Sequence, residues 1–274
     1  METLQRPLIM GILNVTPDSF SDGGDFFDHG EAIKHAVRML EEGADIIDIG
    51  GESSRPGSEP ISAEEELHRV IPVIKGLCHS KGSYRGSRVL LSIDTTKADV
   101  ASKAIKAGAG MINDISAGTF DPEMFKVAAS FGVPICIMHM RGRPKTMQSG
   151  DISYDDVIGE VLAFLKERAA VAVSAGVKRE NIIIDPGIGF GKTVENNITI
   201  LKELKRLKEL RLKILIGTSR KSFIGKILGS DNPKERLEGS LATAGIAVQN
   251  GANILRVHDV AETKRFLEVM RRCL

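Results

Sequence analysis

Eight short apolar runs, each followed by a longer stretch of helical period, set the tightest limit on what this chain can fold into. The runs are Leu8–Leu13, Ile46–Ile49, Val89–Ile93, Met111–Asn113, Ile135–Met138, Ile182–Ile184, Ile214–Ile216 and Ile254–Val257. Most are nearly continuous Ile, Val, Leu and Met rather than alternating, as expected of strands covered on both faces. The stretches between them carry one apolar face each: Leu67, Val70, Ile71, Ile74 and Leu77 recur at helical spacing, as do Leu237, Leu241, Ala244 and Val248, and Val260, Thr263, Leu267 and Met270. Ser62 before AEEE reads as a helix cap with an acidic first turn. Gly43, Gly108, Gly132, Gly176 and Gly251 each stand where a helix should stop before a strand. Eight such units predict an α/β fold, a single (β/α)8 TIM barrel, with a doubly wound open sheet as the alternative. No linker, composition break, shorter repeat or low-complexity segment interrupts the pattern, so residues 1–274 read as one domain.

In such a barrel the chemistry belongs at the C-terminal ends of the strands. Each run here ends in a polar group or runs into one: Asn14, the GGESSRPG segment, Asp94, Asn113 with Asp114, His139, Asp185, Ser219-Arg220-Lys221, and Arg256 with His258. Singly, an Asp or Asn after a strand is often only a turn residue or a helix cap. All eight together are harder to read that way. Asp94, Asn113 and Asp185 suit the edge of a flat heterocycle rich in N–H groups. Arg256 and His258, two apart on one strand, point to one side and with Asn14 could hold a phosphate or diphosphate. The loops SDGGD and DPGIGFGK add backbone N–H groups, although the second lacks Walker spacing.

Charge and cysteine content narrow the function classes. With 37 Lys+Arg against 36 Asp+Glu the formal charge is +1, which excludes general charge attraction to nucleic acid or acidic membranes. The basic segment KELKRLKELRLK (202–213) accordingly reads as the solvated face of the sixth helix, with Leu201, Leu204 and Leu207 turned inward. The three cysteines form no zinc or redox spacing, and Cys136, inside VPICIM, reads as a core residue. No run is long enough to span a bilayer and METLQRPLIMG lacks a signal-peptide core, so a cytoplasmic location is expected.

The segments MGILNVTPDSFSDGG (10–24), GADIIDIGGESSRPG (43–57), LLSIDTTKADVASKAI (90–105), INDISAG (112–118), IMHMRG (137–142), IIIDPGIGFGKT (182–193), IGTSRKSFIG (216–225) and ILRVHDV (254–260) resemble dihydropteroate synthases, nearly collinearly from residue 8 to residue 260. Ser54 stands where many members carry Thr; the hydroxyl is kept. The resemblance implies a barrel enzyme, usually a homodimer, that joins 6-hydroxymethyl-7,8-dihydropterin diphosphate to 4-aminobenzoate with release of diphosphate. It implies that Asp94, Asn113, Met138, Asp185 and Lys221 hold the pterin. Asn14, Ser54, Arg256 and His258 would hold the diphosphate, Asn14 also being a ligand of Mg2+. Pro56, Phe190 and Ser222 would receive the aminobenzoate. Asp22 and Arg55, on Gly/Ser/Pro-rich lids, would act with Lys221 in catalysis.

The chemistry so implied needs no catalytic triad. An aryl amine attacks a carbon whose diphosphate departs as Mg2+, Arg256 and His258 neutralise it, in an SN1-like substitution. Three alternatives stay open on the residues themselves: a Schiff-base aldolase using Lys221, a folate-binding methyltransferase sharing the Asp94/Asn113/Asp185 edge, and a pterin binder without turnover.

Overall fold

The computed structural model describes residues 6–16, 29–54, 57–79, 89–147 and 152–273. The apolar runs form β1 (Leu8–Asn14), β2 (Ile46–Gly50), β3 (Leu90–Asp94), β4 (Met111–Asp114), β5 (Ile135–Met138), β6 (Ile182–Asp185), β7 (Lys213–Ile216) and β8 (Ile254–Val257). All pair in parallel with their chain neighbours, and β8 returns to β1, closing the barrel in the order 1 to 8. The described helices around it are α1 (His29–Glu42), α2 (Ala63–His79), α3 (Ala98–Ala107), α4 (Met124–Phe131), α5 (Val157–Ser174), α6 (Val194–Glu203), α7 (Ser222–Leu228), α8 (Leu237–Gln249) and α9 (Val260–Cys273). The open-sheet alternative is thereby excluded.

The period of two along a strand divides the strand residues into two sets. One set, including Ile9, Leu13, Ile47, Ile49, Leu91, Ile93, Ile112, Ile137, Ile184 and Ile216, packs against the helices in the main core. The other faces the barrel axis. There Met10, Ile46, Leu90, Met111, Cys136, Ile183, Leu215 and Ile254, one from each strand, form a separate apolar plug. Two residues further along each strand come Ile12, Asp48, Ser92, Asn113, Met138, Asp185, Gly217 and Arg256. The axis-facing layer therefore changes from wholly apolar to mostly polar within about one strand repeat, ~7 Å. Cys136 lies in the plug, fully buried, and burial pushes its thiol well above the ordinary range, which makes it inert.

Local signals for the helices hold. Ser62 Oγ accepts from Glu65 N at 3.1 Å, and the five helix-ending glycines all take positive φ, from 65° at Gly132 to 124° at Gly108. The sixth helix is the exception. It stops at Glu203, and Leu204–Leu210 continues as a 3-10 helix. Leu201, Leu204, Leu207 and Leu210 are all buried, so the leucines repeat every three residues, which matches the 3.0-residue turn rather than the 3.6-residue one. No helix among the described residues is long and apolar enough to cross a membrane.

Candidate active site

The polar layer is organised by one arginine reaching across the barrel. Arg256 on β8 donates from Nε to Asp48 Oδ2 at 2.7 Å and from Nη2 to Asp94 Oδ2 at 2.6 Å, passing β1 to reach β2 and β3. Asn113 on β4 donates to the same Asp48 oxygen at 2.9 Å. Burial works against the charge of Arg256, but Asp48 and Asp94 outweigh it and hold its pKa above the ordinary value. Burial raises the Asp94 carboxyl, opposed by Arg256. Asp48 Oδ1 and Ser92 Oγ, on register partners in β2 and β3, are buried with no hydrogen-bond partner among the described residues. This wall of the cup thus has acceptor capacity to spare for a donor-rich ligand or water.

Opposite, Asp185 closes β6. Its Oδ1 accepts from Gly187 N at 2.7 Å, and burial lifts its pKa to about 6. The tight turn needs glycine: Gly187 has a φ of +70°, and a Cβ there would lie 1.9 Å from the carbonyl oxygen of His139. Lys221, the residue before α7, places its ammonium 4.1 Å from the centre of the Phe190 ring. Burial, with Arg256 nearby, lowers its pKa to about 8. Met138 and Phe190 pack with Ile115 and Met147 in a small apolar cluster at this rim. The result is a cup with acceptors on one side, a lysine across from them and apolar side chains between.

The remaining expected residues are placed as follows. Asn14 is half-buried at the end of β1, in register with Gly50. Ser54 is half-buried where the described part of the β2 loop ends, and Ser222 is exposed as the first residue of α7. Asp22, Arg55 and Pro56 lie outside the described residues. His258 follows β8 and is half-buried; burial, then Arg220 and Arg256, lower its pKa to about 3. Burial and the two guanidiniums thus favour the uncharged ring, which meets an anion through an N–H group.

Four features of the site were not read from the sequence. Asp48 sits inside the apolar run IIDIG, and only its strand parity with Ile46 and Gly50 points inward. Lys192, buried, lies 3.0 Å from His139 Nδ1 and donates to the carbonyl oxygens of Phe190 at 3.1 Å and His139 at 3.3 Å. It ties the β6 loop to the end of β5, and burial lowers its pKa to about 7. Lys97 joins Glu52, at 2.5 Å, to the fully buried Glu66, at 2.6 Å, beneath the loop that carries Ser54. Ser219 contacts His258 Nδ1 at 3.0 Å.

Comparison with known proteins identifies the family. Residues 10–258 match the family described as pterin binding enzymes. A dihydropteroate synthase of Synechocystis is 51% identical over 97% of this chain and 89% of its own length. The structure of Xanthomonas albilineans dihydropteroate synthase with 4-aminobenzoic acid superposes with a TM-score of 0.89 at 46% identity, covering 98% of this chain and 94% of that one. The same enzyme in complex with 7,8-dihydropteroate gives a TM-score of 0.87 at 44% identity, over 99% and 95% of the two chains. Similarity of this extent decides against the aldolase and methyltransferase readings. The chain belongs to the dihydropteroate synthase family of pterin-binding enzymes.

Proposed function

We propose that the cup binds the ring of 6-hydroxymethyl-7,8-dihydropterin diphosphate and that the rim binds 4-aminobenzoate, the products being 7,8-dihydropteroate and diphosphate. The observation that carries this reading is the gathering of Asp48, Asp94, Asn113, Asp185 and Arg256 as axis-facing residues at one end of a closed barrel. Asp185 accepts from the pterin amino group and an adjacent ring N–H, and its Oδ1 is already aligned by Gly187. Lys221 donates to the pterin carbonyl oxygen or a ring nitrogen. Asp94 and Asn113 line the remaining edge, and Met138 covers one ring face. Arg256 Nη1, which makes no hydrogen bond among the described residues, is left for the phosphate-bearing side, with Asn14, Ser54 and His258.

The reaction breaks the bond from the exocyclic CH2 to the diphosphate oxygen, the electron pair leaving with the diphosphate. The dihydropterin delocalises the positive character left on carbon, and the lone pair of the aryl amine closes the new C–N bond before its extra proton is lost to solvent. Leaving-group stabilisation is therefore the main demand, and Arg256 and the N–H of His258 supply it. Asp22 and Arg55 are proposed to act on the cation and on site closure. Phe190, Pro56 and Ser222 receive the aminobenzoate, the Ser222 hydroxyl and nearby N–H groups meeting its carboxylate.

The donor set fits Mg2+. Asn14 offers one hard amide oxygen at the mouth, and no group of three His, Cys, Asp or Glu among the described residues forms an all-protein site. Asn14 would hold the ion, which would leave room for substrate oxygens and water as its other ligands. Bound there it would neutralise charge on the leaving group. Chelation is expected to weaken binding of the pterin diphosphate at least about tenfold while leaving 4-aminobenzoate analogues within about twofold; calorimetry with each ligand alone checks this. Equal effects on both would remove the ion from the diphosphate site.

The raised pKa of Asp185 sets a pH dependence. The ionised carboxylate is the acceptor, so protons compete with the pterin, and affinity falls as pH drops through about 6. Well below that value the loss approaches about tenfold per pH unit. Titration calorimetry with a pterin lacking the diphosphate, across this range, checks the slope.

The reading as a whole is tested by diphosphate release, which should require both substrates together and match dihydropteroate formed one for one. We also propose a homodimer and a cytoplasmic site of action. Exposed Ile227, Leu228, Ile246 and Val269 on α7, α8 and α9 supply apolar surface for the former.

A further inference from the structure

We infer that Ser219 is a positioning residue whose hydroxyl holds His258 as the neutral tautomer with Nδ1 bare and the proton on Nε2, so that the mouth presents a fixed N–H donor to the departing diphosphate. This rests on the proposed diphosphate role of His258. The geometry is a two-point clasp. Ser219 Oγ accepts the backbone N–H of His258 at 3.1 Å and lies 3.0 Å from Nδ1 of the same residue. A serine has one proton to give, and no other acceptor for it is found among the described residues. Were Nδ1 protonated instead, the buried hydroxyl proton would have no acceptor, which is the costlier arrangement. With Nδ1 accepting, the single proton of the uncharged ring sits on Nε2.

The segment around Ser219 is built to hold it there. Arg220 is in the left-handed region, at a φ of +57°, although it is not a glycine. Three contacts fix that conformation: Arg220 N donates to Ser240 Oγ at 2.9 Å, Arg236 Nη1 donates to the Arg220 carbonyl at 3.0 Å, and Arg220 Nε donates to Asp259 Oδ2 at 3.1 Å. The consecutive residues 219 and 220 after β7 thus grip the consecutive residues 258 and 259 after β8. A strained backbone held from three sides beside a tautomer-setting hydroxyl is the pattern expected of a preorganised donor. Burial and the neighbouring Arg220 and Arg256 push the ring toward its uncharged form.

The test uses the whole chain labelled with 15N-histidine. Long-range 15N–1H correlation, with the His258 signals identified by their loss in His258→Asn, is expected to show an unprotonated Nδ1 and a protonated Nε2. Ser219→Ala should give averaged tautomer shifts, and Ser219→Thr should restore the original pattern. Inorganic diphosphate with Mg2+ should bind about three- to tenfold more weakly to Ser219→Ala and normally to Ser219→Thr. A pterin without the diphosphate should bind all of these equally, a split that general loosening of the site would not produce. A wild-type spectrum with the proton on Nδ1, or Ser219→Ala keeping both the Nε2 proton and full diphosphate affinity, overturns the inference. Unchanged diphosphate affinity in His258→Asn overturns the diphosphate role of His258 itself, and the spectrum still decides what Ser219 does.

Discussion

Asp185→Asn is expected to abolish measurable pterin binding while leaving the fold intact. Asp185 Oδ1 accepts from Gly187 N, so an asparagine that keeps this bond must turn its NH2 toward the ligand. Two donors then face the amino and N–H edge of the pterin. An asparagine that flips to offer its oxygen to the ligand loses the Gly187 bond instead and sets N–H against N–H within the loop. Either way two charge-assisted hydrogen bonds are lost, and each contributes roughly 1.5–3 kcal/mol. The expected loss in affinity is at least about 100-fold. Stability should move the other way. The wild-type carboxylate is buried and has its pKa raised to about 6 by that burial, so a neutral side chain of the same shape removes a desolvation cost. Calorimetry together with thermal unfolding separates the two quantities. Retained binding with an unchanged melting temperature would take Asp185 out of the pterin site.

Arg256→Met should have the second large effect, and on stability first. The guanidinium is the cation paired with Asp48 and Asp94 inside the barrel, whose side chains are 0% and 13% exposed. Removing it leaves two carboxylates without their cation on the adjacent strands β2 and β3. Breaking a buried pair in this way costs about 3–5 kcal/mol, or on the order of 10 °C in melting temperature for a chain of this size. The pH dependence carries the sign of the cause. Burial raises the Asp94 carboxyl and Arg256 opposes that rise, so without the arginine Asp94 binds its proton still more tightly in the folded chain than in the unfolded one. Stability is then greatest at low pH and is lost as pH rises through the raised pKa of Asp94. The gap to the wild type should therefore be widest near about pH 8 and narrow toward about pH 5. A uniform loss across that range would mean that lost packing, not uncompensated charge, is responsible. Arg256→Met/Asp48→Asn should recover part of the loss, because one of the stranded charges is gone.

Much of this arrangement was legible in the residues, and its limits have physical causes. Continuous Ile/Val/Leu runs closed by Asn14, Asp94, Asn113, Asp185 and Arg256 report both the strands and the end at which polar groups emerge, because each strand must be apolar wherever helices or the barrel plug cover it. The helix stops were equally plain, since a left-handed backbone at Gly43 or Gly108 all but demands glycine. Asp48 was hidden for the opposite reason: a single carboxylate in the middle of IIDIG is an axis-facing residue only if the strand's parity is known, and its partners lie 65 and 208 residues away in the chain. Lys192 was hidden because nothing in DPGIGFGK shows that its ammonium is spent on backbone oxygens of its own loop and of the end of β5. The run from Leu204 to Leu210 looked α-helical because its basic residues suit a solvated face in either helix type; only the strict three-residue repeat of leucine separates them.

The interlocked carboxylates, amide and arginine matter only if a bicyclic ring lies against them while its phosphorylated arm reaches the mouth. A crystal structure of the protein with the pterin diphosphate and Mg2+ tests this most directly. The amino edge of the ring should meet Asp185, the ring should pack beside Met138, and the diphosphate should lie among Asn14, Arg256 and His258. Density for the ligand outside the barrel mouth, or with its diphosphate turned toward Asp185, would contradict it.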